Sequence, residues 1–274
     1  MENIIFQHGS DNNDYYYMNK NNKHPEQKDY FLHNHDFFEV LIFFSGDADF
    51  IAEGTVYHLN PYDIVITREN EMHRILHNSP AKYERSVLRI REDFFRKYEC
   101  ENYMEIFTDR KTGHKNIIPS EAVLDSELIP VLSKLEKRIM ENSDEIIIKC
   151  SIIEFLYTLN KLKDSSFAGI APNKLVRNMV DYINQHLEDD LSLDKLSEKF
   201  FVSKYHLCRV FKEHTGFTVN KYITKKRIIR VQQLYKEGRT LNESALIAGF
   251  GDYSNFYKSF VSETGISPRK LYKN

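Results

Sequence analysis

Three histidines and one glutamate mark the first place in this chain where side chains could do chemistry. His33 and His35 are one residue apart, Glu39 follows four residues later, Gly46 lies seven beyond that, and His73 comes after further strand-like segments. On a strand, residues two apart share a face, so His33 and His35 are expected to converge on one point. Two imidazoles, a carboxylate and a third imidazole suit a borderline divalent metal with coordination positions left open. The same side chains can instead satisfy one another or line a site for an organic ligand. The reading adopted is a ligand pocket lined by His33, His35, Glu39 and His73, with no cofactor. The alternative is a metal at these residues, either sensed as a signal or used by a metal-dependent enzyme.

A second constellation lies in the back half. Leu193, Leu196 and Phe200 recur at helical spacing, with Ser192 placed to cap the segment. After a tight turn Ser203 can cap a second helix, which Gly216 ends. Two short helices, a short turn and a Lys/Arg-rich second helix predict a helix-turn-helix over about 192–215. Leu207, Val210 and Phe211 must face inward, which leaves Lys204, Tyr205, Cys208, Arg209 and Lys212 outside. The pattern recurs about 50 residues on, over about 241–264, with Asp252 as the cap and Gly265 as the stop. Phe256 and Phe260 take the places of Leu207 and Phe211, so Tyr253, Ser254, Asn255 and Lys258 are expected outside. A duplicated motif is far more specific than one copy. The long helix between them, about 219–236, carries Lys225, Lys226, Arg227 and Arg230 and is expected to be a rigid spacer.

The rest of the chain must position these residues. It has 274 residues, 41% of them apolar, enough for one large or two ordinary domains. Its 38 basic and 40 acidic residues leave a net charge of −2. Residues 174–274 hold 18 basic and 11 acidic residues, whereas residues 1–173 hold 20 and 29. An acidic front and a basic back predict two domains, the second meeting a polyanion. Cys100, Cys150 and Cys208 form no C-x-x-C pair and are expected to be free thiols. The acidic start and the lack of an apolar run of about 18 residues predict a cytoplasmic protein with no membrane partner.

The predicted fold class is α+β. Residues 1–30 read as an N-terminal arm. Short β-rich runs with turn residues over about 36–91 predict an antiparallel barrel or sandwich. Two amphipathic helices follow, with stripes of Leu128, Leu132, Leu135 and Ile139 and of Ile146, Cys150, Ile153 and Tyr157, the second after Asn142-Ser143-Asp144, which supplies an N-cap. The expected boundaries are 31–163 for this domain, 164–173 for a linker and 174–274 for the helical domain.

Residues 33–46 resemble the first cupin motif, H-x-H-x3-E-x6-G, at every position, and His73 stands where the second cupin motif has its histidine. Arg68 and Asn70 depart from that second motif, which has Pro and Gly there. The back half resembles the AraC/XylS family of transcription regulators through Ser203–Phe211 with Gly216, Arg227, Gly249-Phe250, Ser254, Phe256, Phe260, Gly265 and Ser267-Pro268. Ser244 and Val231 stand where the family has an aliphatic residue and Ala. The resemblance implies a sequence-specific regulator of double-stranded DNA, not an enzyme, which is controlled by a small-molecule effector, pairs into a homodimer through the helices after the barrel, and works with RNA polymerase. Sugars are a frequent effector class in the family, and Phe38, Phe43, Phe50 and Tyr57 could stack on a sugar or be ordinary core. The resemblance also implies that Tyr205, Cys208, Arg209, Tyr253, Ser254, Asn255 and Lys258 read base edges, and that Lys204, Lys212 and Lys225 touch phosphates.

Overall fold

Runs rich in Val, Ile, Phe and Tyr, broken by Gly46, Gly54 and Asn60-Pro61, fold as antiparallel hairpins because the turn residues reverse the chain where no strand can continue. The computed structural model describes residues 2–10, 12–23, 25, 33–166 and 173–271. The chain divides into two units, Met1–Ala171 and Pro172–Asn274. Residues 167–172, most of the expected linker, lie outside the described residues.

The first unit contains β1 (Glu2–Gly9), β2 (Tyr15–Asn22), β3 (Phe38–Ser45), β4 (Ala48–Ala52), β5 (Thr55–His58), β6 (Ile64–Thr67), β7 (His73–His77), β8 (Tyr83–Ile90) and β9 (Ile117–Ile118). A six-stranded sheet runs in the order β1-β2-β8-β3-β6-β9, and a three-stranded sheet runs β5-β4-β7. Leu41, Phe43, Val65 and Val87 from the first sheet pack with Phe50, Ala52, Tyr57 and Ile75 from the second. Alternate residues of the large sheet, Val40, Ile42, Ile64, Ile66 and Leu88, turn to the other side and join the helices. The sheet is therefore covered on both faces, and β3 reads as a nearly continuous apolar run.

The described residues of the expected arm are built into this sheet. β1 pairs with β2 and β2 pairs with β8 over its whole length. Tyr15 and Tyr17 belong to the helix-side core, and the Tyr17 hydroxyl donates to Glu136 Oε1 at 2.5 Å. Part of the expected arm is thus an interior strand of the sheet, with Tyr15 and Tyr17 in the core.

Helices α1 (Glu92–Lys97), α2 (Glu105–Thr108), α3 (Ser120–Leu124), α4 (Leu128–Met140) and α5 (Glu145–Asn160) follow. α4 buries its predicted stripe. α5 does not: Ile148, Ile152, Phe155, Leu156 and Leu159 face the core, while Ile146, Ile147 and Tyr157 are exposed. Asp144 occupies the N-cap position without a side-chain cap bond. The helix is apolar on nearly every side, so spacing cannot rank its two stripes. The larger aliphatic and aromatic payload, centred on Phe155, takes the core.

The second unit holds α6 (Lys174–Gln185), α7 (Leu193–Phe200), α8 (Lys204–Thr215), α9 (Val219–Lys236), α10 (Leu241–Ile247), α11 (Tyr253–Thr264) and α12 (Pro268–Leu271). Ser192, Ser203 and Asp252 cap α7, α8 and α11 through side-chain oxygens, and Gly216 and Gly265 end α8 and α11 in the left-handed conformation. Arg227 of α9 turns inward. Its Nε donates to Leu187 O at 2.9 Å and its Nη2 to Asp189 O at 2.9 Å. Gly249, at φ +88°, leaves no room for a Cβ, which would stand 2.2 Å from Leu187 O and 2.9 Å from Arg227 Nε. One guanidinium and one glycine thus fasten the α6–α7 loop, α9 and the end of α10 together.

A buried ion pair organises the end of the β domain that carries His73. Arg110 donates to Glu71 through Nη1 (2.8 Å) and Nη2 (2.5 Å), and the N–H groups of Gly113 (2.6 Å) and Arg68 (3.1 Å) add two more bonds. Burial pushes the Glu71 carboxyl up, but Arg110 and these N–H groups outweigh it and hold the carboxyl at about 2. A depressed carboxylate contributes its full stability above its unfolded value and loses it as pH falls through the folded value. Glu71→Gln, which strands Arg110, is expected to destabilise the β domain by about 3 to 5 kcal/mol at pH 7. In denaturant unfolding followed from pH 7 to pH 2, that difference is expected to shrink between about pH 4.5 and pH 2.

Candidate functional site

The three histidines meet, though not by strand alternation. His33 forms a single bridge with His73, His33 N donating to His73 O at 3.0 Å and His73 N to His33 O at 2.9 Å. His35 lies in the irregular stretch that follows, just before the bend at 36–37. One ring nitrogen from each of His33, His35 and His73 lies within 4.8 Å of the others. Tertiary pairing of a short crossing segment, and not period-two geometry, brings them together.

Backbone carbonyls set the tautomers. His35 Nδ1 lies 2.9 Å from Phe37 O and His73 Nδ1 lies 2.8 Å from Glu71 O. A carbonyl only accepts, so each Nδ1 carries a proton. Among the described residues these two Nε2 atoms are buried without a hydrogen-bond partner. The Glu39 oxygens stand 3.7 Å from His35 Nε2 and 3.8 Å from His73 Nε2. Burial alone would raise the Glu39 carboxyl, but His35, His73 and Arg89 hold it well below the usual carboxylate range. Burial, reinforced by His33, pushes His73 down to about 4, so its Nε2 presents a lone pair near neutral pH. Three imidazoles gathered beside one carboxylate, with backbone carbonyls fixing two of the rings, are a donor set that suits a cation.

The aromatic side chains offered for a sugar are core. Phe43, Phe50 and Tyr57 are buried between the sheets, and Phe38 packs edge-on to Phe95 on the helix side.

The helical unit exposes the outer faces of α8 and α11. On α8, Tyr205 is 78% exposed, Lys204, Arg209 and Lys212 are exposed, and Cys208 is half-buried. Arg209 Nη1 donates to Glu213 Oε2 at 3.2 Å, and Lys204 pairs with Asp194. On α11, Ser254 and Lys258 are exposed. Asn255 is exposed as expected and donates one side-chain N–H to Asp252 Oδ2 at 2.9 Å, whereas Tyr253 is half-buried against Phe256. Lys225 is paired with Glu263 at 3.0 Å and is mostly covered, which makes it a poor phosphate contact. Sequence reasoning passed over Tyr257, which is exposed at the position equivalent to Cys208. The 49-residue offset that equates Leu207 with Phe256 was the signal for it.

Two recognition-type helices on one rigid linker helix, preceded by a double-sheet domain with a polar cluster, define a DNA-binding regulator with a separate ligand-binding domain. Residues 22–156 match the AraC-like ligand binding domain family, and residues 196–274 match a helix-turn-helix domain family. The chain is 24% identical to the HTH-type transcriptional activator RhaS of Enterobacter sp. (strain 638), over 87% of this chain and 86% of that one. It is 26% identical to RhaS of Salmonella arizonae over the same shares. The structure of ToxT from Vibrio cholerae aligns over 94% of this chain and 97% of its own, at 16% identity with a TM-score of 0.38. The chain belongs to the AraC family of transcription regulators, and the relatives it matches are regulators, not enzymes. Among the described residues no helix is long and apolar enough to cross a membrane.

Proposed function

We propose that this AraC-family regulator is a cytoplasmic, homodimeric transcription activator. In this reading it senses a divalent transition metal through His33, His35, His73 and Glu39 and reads DNA with α8 and α11. The observation that carries the metal input is the cluster of His33, His35 and His73 ring nitrogens within 4.8 Å of one another, with the buried Nε2 atoms of His35 and His73 beside the Glu39 carboxylate and, among the described residues, without a hydrogen-bond partner. Metal binding then has a structural consequence available to it, because His33 comes from the segment bridged to β7 and Glu39 from β3 of the other sheet. An ion that binds one arrangement of these elements more tightly shifts the equilibrium toward it.

The test is metal analysis of the full-length protein after removal of metal by a chelator and dialysis against Zn²⁺, Ni²⁺ or Mn²⁺. One tightly held equivalent per chain is expected, and His73→Ala is expected to weaken it at least about 10-fold. No stoichiometric uptake of any of the three would sink the metal reading in favour of an organic ligand bearing hydrogen-bond donors. Footprinting and transcription with purified RNA polymerase, with and without the ion, then report the regulatory output.

For DNA, Arg209 is the residue best suited to grip guanine O6 and N7, since its exposed pair with Glu213 is worth only about 0.3 to 0.5 kcal/mol and exchanges readily. Arg209→Ala is expected to lower affinity for the specific site about 5- to 150-fold and to change binding to random DNA far less. Equal losses on both would remove its base-reading role.

For the dimer, α5 offers an apolar stripe of Ile146, Ile147, Cys150 and Tyr157 on its outer side, with Ile146 59% exposed. Sedimentation of Ile146→Glu/Ile147→Glu protein is expected to show monomers where the wild type shows dimers, with the thermal midpoint of each domain retained. A variant that remains dimeric would place the interface elsewhere.

A further inference from the structure

The metal donors adjoin a row of polar side chains that the metal reading does not use. Residues paired directly across neighbouring strands carry their side chains on the same sheet face. Register places Tyr16 of β2 opposite Arg89 of β8, Arg89 opposite Glu39 of β3, and Glu39 opposite Thr67 of β6. Leu41 and Phe43, two and four residues beyond Glu39, lie in the inter-sheet core, so this row faces the inside of the double sheet. The row ends at the histidine cluster through Glu39.

Two members of the row have bonding capacity to spare. Thr67 is 1% exposed, yet among the described residues its hydroxyl has no hydrogen-bond partner. Among the described residues Arg89 makes its hydrogen bond through Nε alone, to Glu39 Oε2 at 3.0 Å. Its two terminal amino groups remain, half-exposed toward solvent. The guanidinium lies over the Phe37 ring at 5.0 Å, and His35 stacks on the same ring at 3.8 Å with an interplanar angle of 5°. Phe37 thus fixes Arg89 and a metal donor against one aromatic plate.

We infer that the effector is a small metal-chelating carboxylate whose oxygens bind the ion at the histidines while its carboxylate is held by Arg89 and the Thr67 hydroxyl. This rests on the metal reading and adds the class of the second ligand. Charge favours an anion: a divalent ion, neutral imidazoles, the Glu39 carboxylate and the Arg89 guanidinium sum to two positive charges. The guanidinium fork matches a carboxylate in geometry as well as charge, and Thr67 supplies a donor to an oxygen. Size favours a molecule of few atoms, because Phe43, Phe50 and Tyr57 fill the space deeper between the sheets. Neutral sugars lack the charge that Arg89 and the ion require.

The experiment is calorimetric titration of full-length protein loaded with one equivalent of metal, using malate and 2-oxoglutarate as probes and glucose as the neutral comparison. The metal still bound afterwards is measured by elemental analysis. At least one of the two acids is expected to bind with the metal retained, and glucose is expected to give no heat. Arg89→Gln is expected to keep its metal and lose about 10- to 100-fold in affinity for the acid, and Thr67→Val about 10-fold. Binding of glucose in place of the acids would overturn the inference. So would an Arg89→Gln protein that binds the acid normally but holds metal poorly, since Arg89 would then only position Glu39. Metal retained with neither acid bound refutes this inference alone, whereas failure to load metal refutes the reading beneath it.

Discussion

The buried carboxylate of Glu71 is the constraint on which the ligand-binding domain depends. Its side chain gathers Arg110, Gly113 and Arg68, and its own carbonyl accepts from His73 Nδ1. One residue therefore ties the 108–116 loop to the strand edge and selects the His73 tautomer that turns a lone pair inward. An ion pair of this kind costs desolvation and adds little net stability compared with an apolar pair. What it does provide is orientation: a charge buried among four donors allows one arrangement of the loop, and the histidine ring inherits that arrangement.

The helical unit solves the corresponding problem with Arg227. In sequence this residue sits in the basic stretch of the expected spacer helix, and in the structure it serves two backbone carbonyls. The junction it forms with Gly249 admits no side chain at that glycine, so the two helix-turn-helix motifs meet through backbone in close approach. A regulator that must reach two major-groove segments needs a fixed distance between its reading helices, and a rigid helix clamped at such a junction supplies one.

Regulation in this chain follows from placing different demands on different residues. In the proposed reading the input centre is the histidine and glutamate cluster, beside an Arg and a Thr with donors to spare, and the output surface keeps its readers exposed and lightly paired, as with Arg209 and Glu213. Weak surface pairs are easily traded for a base edge, whereas the buried pairs are not. A ligand can alter output only by the difference in its affinity for two states of the protein, and the crossing segment that carries His33 and His35 is where such a difference can arise.

The sequence by itself determined the elements whose signals are local. Caps at Ser192, Ser203 and Asp252, stops at Gly216 and Gly265, the repeated motif at a 49-residue offset, and the family all follow from spacing and residue type over a turn or two of helix. The histidine and glutamate set was legible for the same reason, since its members declare themselves by chemistry. Tertiary structure alone decided that the tyrosine-rich N-terminus forms a central strand, that the Phe155 side of α5 takes the core, that Lys225 and Arg227 face protein, and that Thr67 and Arg89 flank Glu39. Each of these outcomes rests on a partner far away in the chain: Glu136 for Tyr17, Glu263 for Lys225, Leu187 for Arg227, and strand register for Thr67 and Arg89. Periodicity states that a residue has a face. Which face is buried depends on what the fold brings against it.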